Sequence, residues 1–151
     1  MTDQAAVTGV AGTEEVEQAE EVAETARAFI DAMNRRDLAK VAGLFTEDAT
    51  WTVCVADLPG AGTNRASAVV EQMVPGLLDV FESGPELEIL RTAVQGDWVA
   101  VEAVGRGRLR DGREYRNQYT HWYRIEGGRV AALREYMDSH YAATVFFGEG
   151  R

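Results

Sequence analysis

One carboxylate near the end of the sequence interrupts an apolar pattern. In the segment LREYMDSHY, strand alternation places Leu133, Glu135 and Met137 on one face and Asp138 on the other. A carboxylate between apolar neighbours is costly to ionise, so its pKa is expected to rise unless it is paired. A group of this kind can act as a general acid or base near neutral pH. Glu135 is therefore the first candidate for chemistry, and we expect Asp138 to fix the strand end or a dimer face.

The preceding strand-like segment offers a row of aromatic and polar side chains. On one face it would carry Tyr115, Asn117, Tyr119, His121 and Tyr123. Aromatic bulk with hydrogen-bonding tips is typical of ligand pockets. A hairpin closed at EGGR brings His121 near Glu135, which allows an imidazole–carboxylate couple. Alternatively, His121 bonds a backbone carbonyl at the edge of the core, and Tyr119 and Asn117 simply satisfy each other.

One strand earlier, Glu102 shares a face with Val104 and Arg106. If that face points inward, Glu102 is a second pocket carboxylate and Arg106 its counter-charge. If it points outward, the two form only a structural ion pair, which is the commoner use of charges on strands. Cys54 is expected to be a small buried hydrophobic residue.

The positions of these residues depend on elements that apolar spacing and turn residues indicate. The predicted elements are a long first helix ending at NRRD, helix Asp37–Leu44, strand Asp48–Ala56, loop Asp57–Arg65, helix Ala66–Phe81 kinked at Pro75 and Gly76, strands Glu86–Val94, Asp97–Leu109, Glu114–Ile125 and Arg129–Tyr141, and a short helix Ala142–Phe147. Helices followed by a meander of antiparallel strands predict an α+β fold with a pocket between the first helix and a curved sheet. We expect residues 1–13 to be a disordered tail, with Thr13 capping the first helix, and residues 14–148 to form a single domain.

Composition narrows the class of protein further. The chain has 151 residues and a net charge of −10, which disfavours binding to nucleic acid or anionic lipid. A single cysteine excludes an internal disulfide, and with only two histidines a metal site is not expected. No cofactor is expected. Without an apolar run that could cross a bilayer, or a secretory signal, the expected location is cytoplasmic.

Three segments carry a resemblance to a known superfamily. They are ARAFIDAMNRRDLAKVAGLFTEDATW (26–51), DGREYRNQY (111–119) and GGRVAALREYMDSHYAATVF (127–146). From about Glu20 to Phe147 the chain resembles the SnoaL-like branch of the ketosteroid isomerase and nuclear transport factor 2 superfamily. The resemblance implies a cone formed by a curved antiparallel sheet and three helices around an apolar pocket, usually in a homodimer. The superfamily holds isomerases, polyketide cyclases, dehydratases, epoxide hydrolases and non-catalytic binding modules, so fold alone does not give function.

The resemblance also implies roles for particular residues. Against members similar to limonene epoxide hydrolase, Glu135 falls on a catalytic Asp. Glu102 and Val104 fall on an Arg and a second Asp, and Trp51 and Val53 replace the Tyr and Asn that hold the water. The acid/base position is kept, whereas the water-activating set is not. SnoaL-type cyclases pair an acidic residue on this strand with histidine and polar groups, which Glu135 with His121 resembles.

Our leading hypothesis is a cofactor-independent acid/base enzyme of the cyclase, isomerase or dehydratase type. It would act on a small, mostly apolar carbonyl or polyketide-like metabolite of secondary metabolism, so the expected ligand is a small apolar or polycyclic molecule. Glu135 and His121 would be catalytic, and the loop Asp57–Arg65 would act as a lid. The substrate-binding residues would be Tyr119, Asn117, Glu102, Arg106, Trp51, Met33 and Met137. The alternatives are a binding module without chemistry and an epoxide hydrolase with a different water-holding pair.

Overall fold

The computed structural model describes residues 12–148, which form four helices and six strands. Helix α1 is Gly12–Asn34, α2 is Leu38–Leu44, α3 covers residues 66–79, and α4 is Ser139–Phe147. The strands are β1 Phe45–Val53, β2 Gly62–Arg65, β3 Phe81–Gln95, β4 Trp98–Leu109, β5 Glu114–Glu126 and β6 Arg129–Met137. The α+β order that the sequence predicts is confirmed. The predicted tail lies outside the described residues except for Gly12 and Thr13, which are helical, so Thr13 does not cap α1.

The six strands form one curved sheet in the order β2-β1-β6-β5-β4-β3. Neighbours are antiparallel except β1 and β6, which are parallel. The predicted antiparallel meander of β3–β6 is confirmed, and β1 joins it through one parallel pair. A parallel pair needs a long connection, and here α3 and the β3–β5 meander supply it. The pairing matters for function because it brings β1 beside the strand that carries Glu135.

Helix α1 lies across the inner face of the sheet and forms the core with it. Phe29 of α1 makes edge-to-face ring contacts with Phe45, Trp51 and Tyr123, at centroid distances of 5.1, 6.1 and 5.5 Å. The predicted end of α1 at NRRD is confirmed, since the helix stops at Asn34. The apolar stripe of α1 is thus the layer that covers the sheet.

The end of α1 is tied to the edge strand by one amide side chain. Asn34 Nδ2 donates to the carbonyl of Leu87 at 3.0 Å, and Leu87 N donates to Asn34 Oδ1 at 2.8 Å. The amide therefore occupies a place in the β3 hydrogen-bond ladder that another strand would take. These two hydrogen bonds fix the distance between the end of α1 and strand β3.

Helix α3 is interrupted, as the sequence predicts. Its segments are Ala66–Ala68, a π-helical turn Val69–Met73, and Val74–Asp79. Pro75 lies in the first turn of the last segment, where its missing N–H costs nothing. The predicted irregularity is confirmed, and the π-turn just before Pro75 accommodates it.

Several predicted boundaries shift. Strand β1 begins at Phe45, and β3 begins at Phe81 directly after α3. Strand β6 ends at Met137, because Asp138 Oδ1 accepts a hydrogen bond from Tyr141 N at 3.0 Å and so caps α4. The expectation that Asp138 fixes the strand end is confirmed.

Candidate active site

A cavity of about 430 Å³ lies between the inner face of the sheet and helices α1, α3 and α4. Its walls are mostly apolar, and the predicted wall residues Met33, Trp51 and Met137 all line it. The polar groups on the lining come from Asn34, Trp51, Tyr115, Tyr119, His121 and Glu135. An apolar cavity with a few convergent polar tips is the usual form of a small-molecule site.

His121 and Glu135 meet on this wall. They are directly opposite each other in the β5–β6 pair, and His121 Nε2 lies 3.4 Å from Glu135 Oε2. Trp51 of the parallel neighbour β1 donates its Nε1–H to Glu135 Oε1 at 3.2 Å. The side chains of His121 and Glu135 are only 6% and 16% exposed. The predicted imidazole–carboxylate couple is thus present in the geometry, with an indole N–H as a third partner.

The other ring nitrogen of His121 identifies its tautomer. Nδ1 lies 2.7 Å from the hydroxyl of Tyr123, a fully buried side chain. Burial raises the pKa of Tyr123 well above its ordinary value, so its hydroxyl keeps its proton and can donate to Nδ1. The ring hydrogen of a neutral His121 is then assigned to Nε2, facing the carboxylate. Nε2 is buried without a hydrogen-bond partner within residues 12–148, since its approach to Glu135 lacks hydrogen-bond geometry.

The charge state of Glu135 follows from these contacts. Burial raises the pKa of its carboxyl, but the adjacent His121 imidazole, followed by the Trp51 N–H, brings the net pKa below its ordinary value. The sequence predicted a raised pKa for an unpaired carboxylate, and Glu135 is paired. At neutral pH it is an ionised acceptor at the cavity wall.

A second polar cluster lies beside this pair. The hydroxyls of Tyr115 and Tyr119 are hydrogen-bonded to each other, and Asn117 Nδ2 donates to the Tyr115 hydroxyl at 3.1 Å. Burial raises the pKa of Tyr115 and raises that of Tyr119 further. Asn117 is 1% exposed and lies behind the cavity lining. The expected direct partnership of Asn117 with Tyr119, and the expected contact of Asn117 with a ligand, are therefore replaced by a link through Tyr115.

Glu102 and Arg106 lie elsewhere. Both are exposed, and neither lines the cavity. Glu102 pairs with Arg91 at 3.5 Å and Arg106 with Glu88 at 3.7 Å, both partners on β3. The prediction of a second pocket carboxylate with its counter-charge is corrected. Val101 and Ala103 occupy the inner face of β4, so alternation directs Glu102 and Arg106 outward.

The loop after β1 covers part of the cavity. Val55, Leu58 and Pro59 line it, whereas Gly62–Arg65 forms strand β2 rather than loop. Cys54 is partly buried, and its backbone N donates to the Glu135 carbonyl at 2.7 Å. This bond extends the β1–β6 pairing to the strand position of the carboxylate.

Sequence reasoning missed part of the lining. Met73 comes from the π-turn, and Ala142, Phe146 and Phe147 come from α4. The three apolar residues recur at helical spacing in AATVFF, which was a usable signal for a buried helix face. The π-turn has no comparable sequence signal.

Two features are absent from residues 12–148. No helix in this part of the chain is both long and apolar enough to cross a membrane. No cluster of three or more His, Cys, Asp or Glu side chains in it could hold a metal ion.

Comparison with known proteins identifies the family. The sequence model of the SnoaL-like domain matches residues 26–133. The matched segment is more than half of the chain and contains Trp51, Tyr119 and His121, and it ends just before Glu135. The chain belongs to the SnoaL-like domain family. No curated protein matches the sequence.

Solved structures confirm the nuclear transport factor 2-like fold. A protein of that fold from Burkholderia pseudomallei is 21% identical with a TM-score of 0.70, over 82% of this chain and 95% of the other. Bal32a, from a soil-derived mobile gene cassette, is 24% identical with a TM-score of 0.72, over 85% and 97%. TerC, co-crystallised with polyporic acid, is 19% identical with a TM-score of 0.70, over 85% and 96%. These similarities establish the fold.

Proposed function

We propose that the cavity binds a small, mostly apolar ketone or related carbonyl compound and that Glu135 moves a proton on it. The observation that carries the proposal is the ionised Glu135 at the wall of a mostly apolar cavity, within 3.4 Å of the His121 ring. Acid/base chemistry on a polyketide-like substrate, of the cyclase, isomerase or dehydratase type, is the reaction class that fits this arrangement best.

Glu135 is the base in the proposed proton transfer. A carboxylate oxygen of Glu135 takes a proton from the carbon next to the carbonyl, and the electron pair of that C–H bond moves to form an enolate. Trp51 donates to one carboxylate oxygen and the His121 ring lies beside the other, which leaves lone pairs on both oxygens for the ligand. Tyr119 supports the developing charge on the carbonyl oxygen, as oxyanion donors do in apolar sites. Glu135 then returns the proton either to another carbon, or to a hydroxyl group that the enolate expels as water, and is a carboxylate again.

The charged groups on the cavity lining limit the charge that a ligand can carry. Among the described residues that line the cavity there is no lysine or arginine, and Glu135 is negative. A carboxylate or phosphate buried beside Glu135 would be a like-charge neighbour without a permanent cation to offset it. We therefore propose that the ligand is uncharged at the buried end.

One observation supports a second candidate, a binding module without chemistry. Glu135 is already held by Trp51 and His121, so the carboxylate has structural partners before any ligand arrives. TerC, of the same fold, is a structure with a bound small molecule. On this alternative the protein sequesters an apolar ligand, and Glu135 only orients it.

Hydrogen–deuterium exchange into 2-tetralone, an uncharged bicyclic ketone, tests the proposal. The wild-type protein in D₂O should accelerate exchange at the carbon next to the carbonyl, as followed by NMR. Glu135→Gln should bind 2-tetralone but lower the catalysed rate by about 10²- to 10⁴-fold, because a positioned base contributes that much. Glu102→Gln, the same change on the outer face, should keep the wild-type rate.

The outcomes separate the candidates. Equal exchange by wild type and Glu135→Gln would refute the role of Glu135. Binding by wild type without any acceleration would favour the binding module. Water addition to an epoxide stays a weaker possibility, since Val53 is apolar and Trp51 is engaged with Glu135. The expected homodimer is tested separately by light scattering on the purified protein.

A further inference from the structure

The orientation of the Asn117 amide is determined by its backbone partners. Oδ1 accepts from the backbone N of Gln118 at 2.7 Å, and Nδ2 lies 3.3 Å from the carbonyl oxygen of Asp138. A backbone N–H can only donate and a carbonyl can only accept, so the amide nitrogen and oxygen cannot be exchanged. The remaining hydrogen on Nδ2 is directed at the Tyr115 hydroxyl, 3.1 Å away. Tyr115 therefore accepts from Asn117.

The hydrogen of the Tyr115 hydroxyl then has one protein acceptor. Tyr115 is 2% exposed and packs against the rings of Phe81, Tyr141 and Phe146 at 5.2, 5.6 and 5.3 Å. Within residues 12–148 the remaining hydrogen-bond partner of its hydroxyl is that of Tyr119. A buried hydroxyl hydrogen without an acceptor is costly. Tyr115 is thus expected to donate to Tyr119.

Tyr119 ends the series at the cavity. Its oxygen accepts from Tyr115, which leaves its own hydrogen free to point into the cavity that its side chain lines. Burial raises the pKa of Tyr119 well above its ordinary value, so the hydroxyl stays protonated at neutral pH. Tyr119 lies opposite Met137, and His121 opposite Glu135. Tyr119 and Glu135 are therefore diagonal neighbours, with Cα atoms roughly 7–8 Å apart.

Gly105 of β4 holds the ring of Tyr119 in place. A side-chain carbon built on Gly105 would come within 2.7 Å of Tyr119 Cε2. The ring thus lies directly on the backbone of β4, in the space that only a glycine leaves. The donor is positioned by packing as well as by its hydrogen bond.

We propose that Asn117, Tyr115 and Tyr119 form a one-way chain of hydrogen bonds that presents the Tyr119 O–H to the carbonyl oxygen of the ligand. Tyr119 touches the ligand, while Asn117 and Tyr115 are positioning residues. Glu135 then faces the adjacent carbon of the same ketone. Tyr119 thus binds the carbonyl oxygen, and Glu135 removes the proton from the neighbouring carbon. The inference rests on the proposed function only in requiring a carbonyl-bearing ligand.

The direction of the chain gives a sharp test, because one substitution should reverse it. In Asn117→Asp the carboxylate can only accept, so the Tyr115 hydrogen turns to it and the Tyr119 hydrogen turns to Tyr115. The probe is 2-tetralone with a ¹³C-labelled carbonyl, whose NMR signal moves downfield when the oxygen accepts a hydrogen bond. Gln118→Glu is the matched control, with the same change of charge on the neighbouring, exposed residue.

We expect a downfield carbonyl signal for 2-tetralone bound to wild type and to Gln118→Glu. The shift should be lost in Tyr119→Phe, with binding weakened roughly two- to twelvefold as for one lost hydrogen bond. It should also be lost in Asn117→Asp, although Tyr119 is still present. A wild-type shift in either of these two variants would overturn the proposal.

If Asn117→Asp does not fold, Tyr115→Phe tests the chain instead. Tyr115→Phe should keep a downfield shift, because the Tyr119 hydrogen remains available to the ligand. Loss of the shift in Tyr115→Phe and its retention in Tyr119→Phe would mean that the chain runs the other way. A normal shift without catalysed deuterium exchange would leave the chain standing and refute the role of Glu135 instead. Catalysed exchange without a downfield shift would refute the chain and leave the role of Glu135 standing.

Discussion

His121 and Glu135 are directly opposite each other across the β5–β6 pair, with Nε2 3.4 Å from Oε2. Each of the two is also held from its far side, His121 by Tyr123 and Glu135 by Trp51. The four side chains come from three strands, β1, β5 and β6, and form one continuous polar network under α1. Groups in such a network influence one another, so their substitutions are not expected to be additive.

The indole of Trp51 should help keep Glu135 ionised. Trp51→Phe removes an N–H that lies 3.2 Å from Oε1 but keeps an aromatic ring, so the pKa of Glu135 should rise relative to wild type. A ¹³C NMR titration of the Glu135 carboxyl carbon measures this directly. Trp122→Phe is the control, because Trp122 contacts Trp98 and not Glu135. An unchanged pKa in Trp51→Phe would mean that the bond to Glu135 does not form in solution.

Stability should depend on pH through Glu135 in a defined direction. Its folded-state pKa is lowered, so the ionised carboxylate stabilises the fold above the unfolded-state value of about 4.3. This contribution is lost as the pH falls through the folded-state pKa. Urea unfolding should therefore give a constant difference in unfolding free energy between wild type and Glu135→Gln above about pH 5.5. The difference should diminish below about pH 4. A wild-type advantage that grows on acidification would contradict the lowered pKa.

The Tyr123 hydroxyl should set the tautomer of His121. Tyr123→Phe leaves Nδ1 buried without its 2.7 Å partner, which should cost about 1–3 kcal/mol of unfolding free energy. ¹⁵N NMR of the imidazole should report the hydrogen on Nε2 in wild type and a loss of that preference in the variant. Tyr136→Phe, at an exposed position on β6, should change stability by less than about 0.5 kcal/mol. Equal effects of the two substitutions would rule out the assigned role.

Much of this site could be predicted from strand alternation. The row on β5 and the isolated Glu135 on β6 follow from a period of two, and the short EGGR turn makes their meeting geometrically simple. Alternation does not reveal which face is inward, and that is where Glu102 and Arg106 were misplaced. The Trp51 bond joins residues 84 positions apart through the parallel β1–β6 pair. No local signal predicts such a pairing, because it depends on how the whole meander returns.

Asp138 should matter for closing the cavity without taking part in chemistry. It caps α4, which places Phe146 and Phe147 on the lining. Asp138→Ala should lower the unfolding free energy by about 0.5–2 kcal/mol, and weaken binding of 2-tetralone because α4 frays. Asp138→Asn should preserve both properties, since asparagine caps helices equally well. Calorimetric titration and urea unfolding provide the two measurements, and a large loss in Asp138→Asn would indicate a role for the charge.

Gly105 should be required because Tyr119 occupies the space above it. In Gly105→Ala the new carbon would come within 2.7 Å of Tyr119 Cε2 and 3.3 Å of Leu87 Cδ2. The ring must shift, and overpacking of this kind costs about 1–3 kcal/mol. The displaced hydroxyl should no longer reach the ligand, so the downfield carbonyl signal of bound 2-tetralone should weaken or disappear.

A matched glycine separates crowding from the general effect of an added methyl group. Gly43 in α2 has nothing within 4 Å of a built side-chain carbon, and alanine favours helices over glycine by roughly 0.5–1 kcal/mol. Gly43→Ala should therefore stabilise the protein and leave the carbonyl signal unchanged. If Gly105→Ala were as stable as wild type with the same carbonyl signal, Tyr119 would have to reach the ligand from another position, and its packing on β4 would not be what orients the donor.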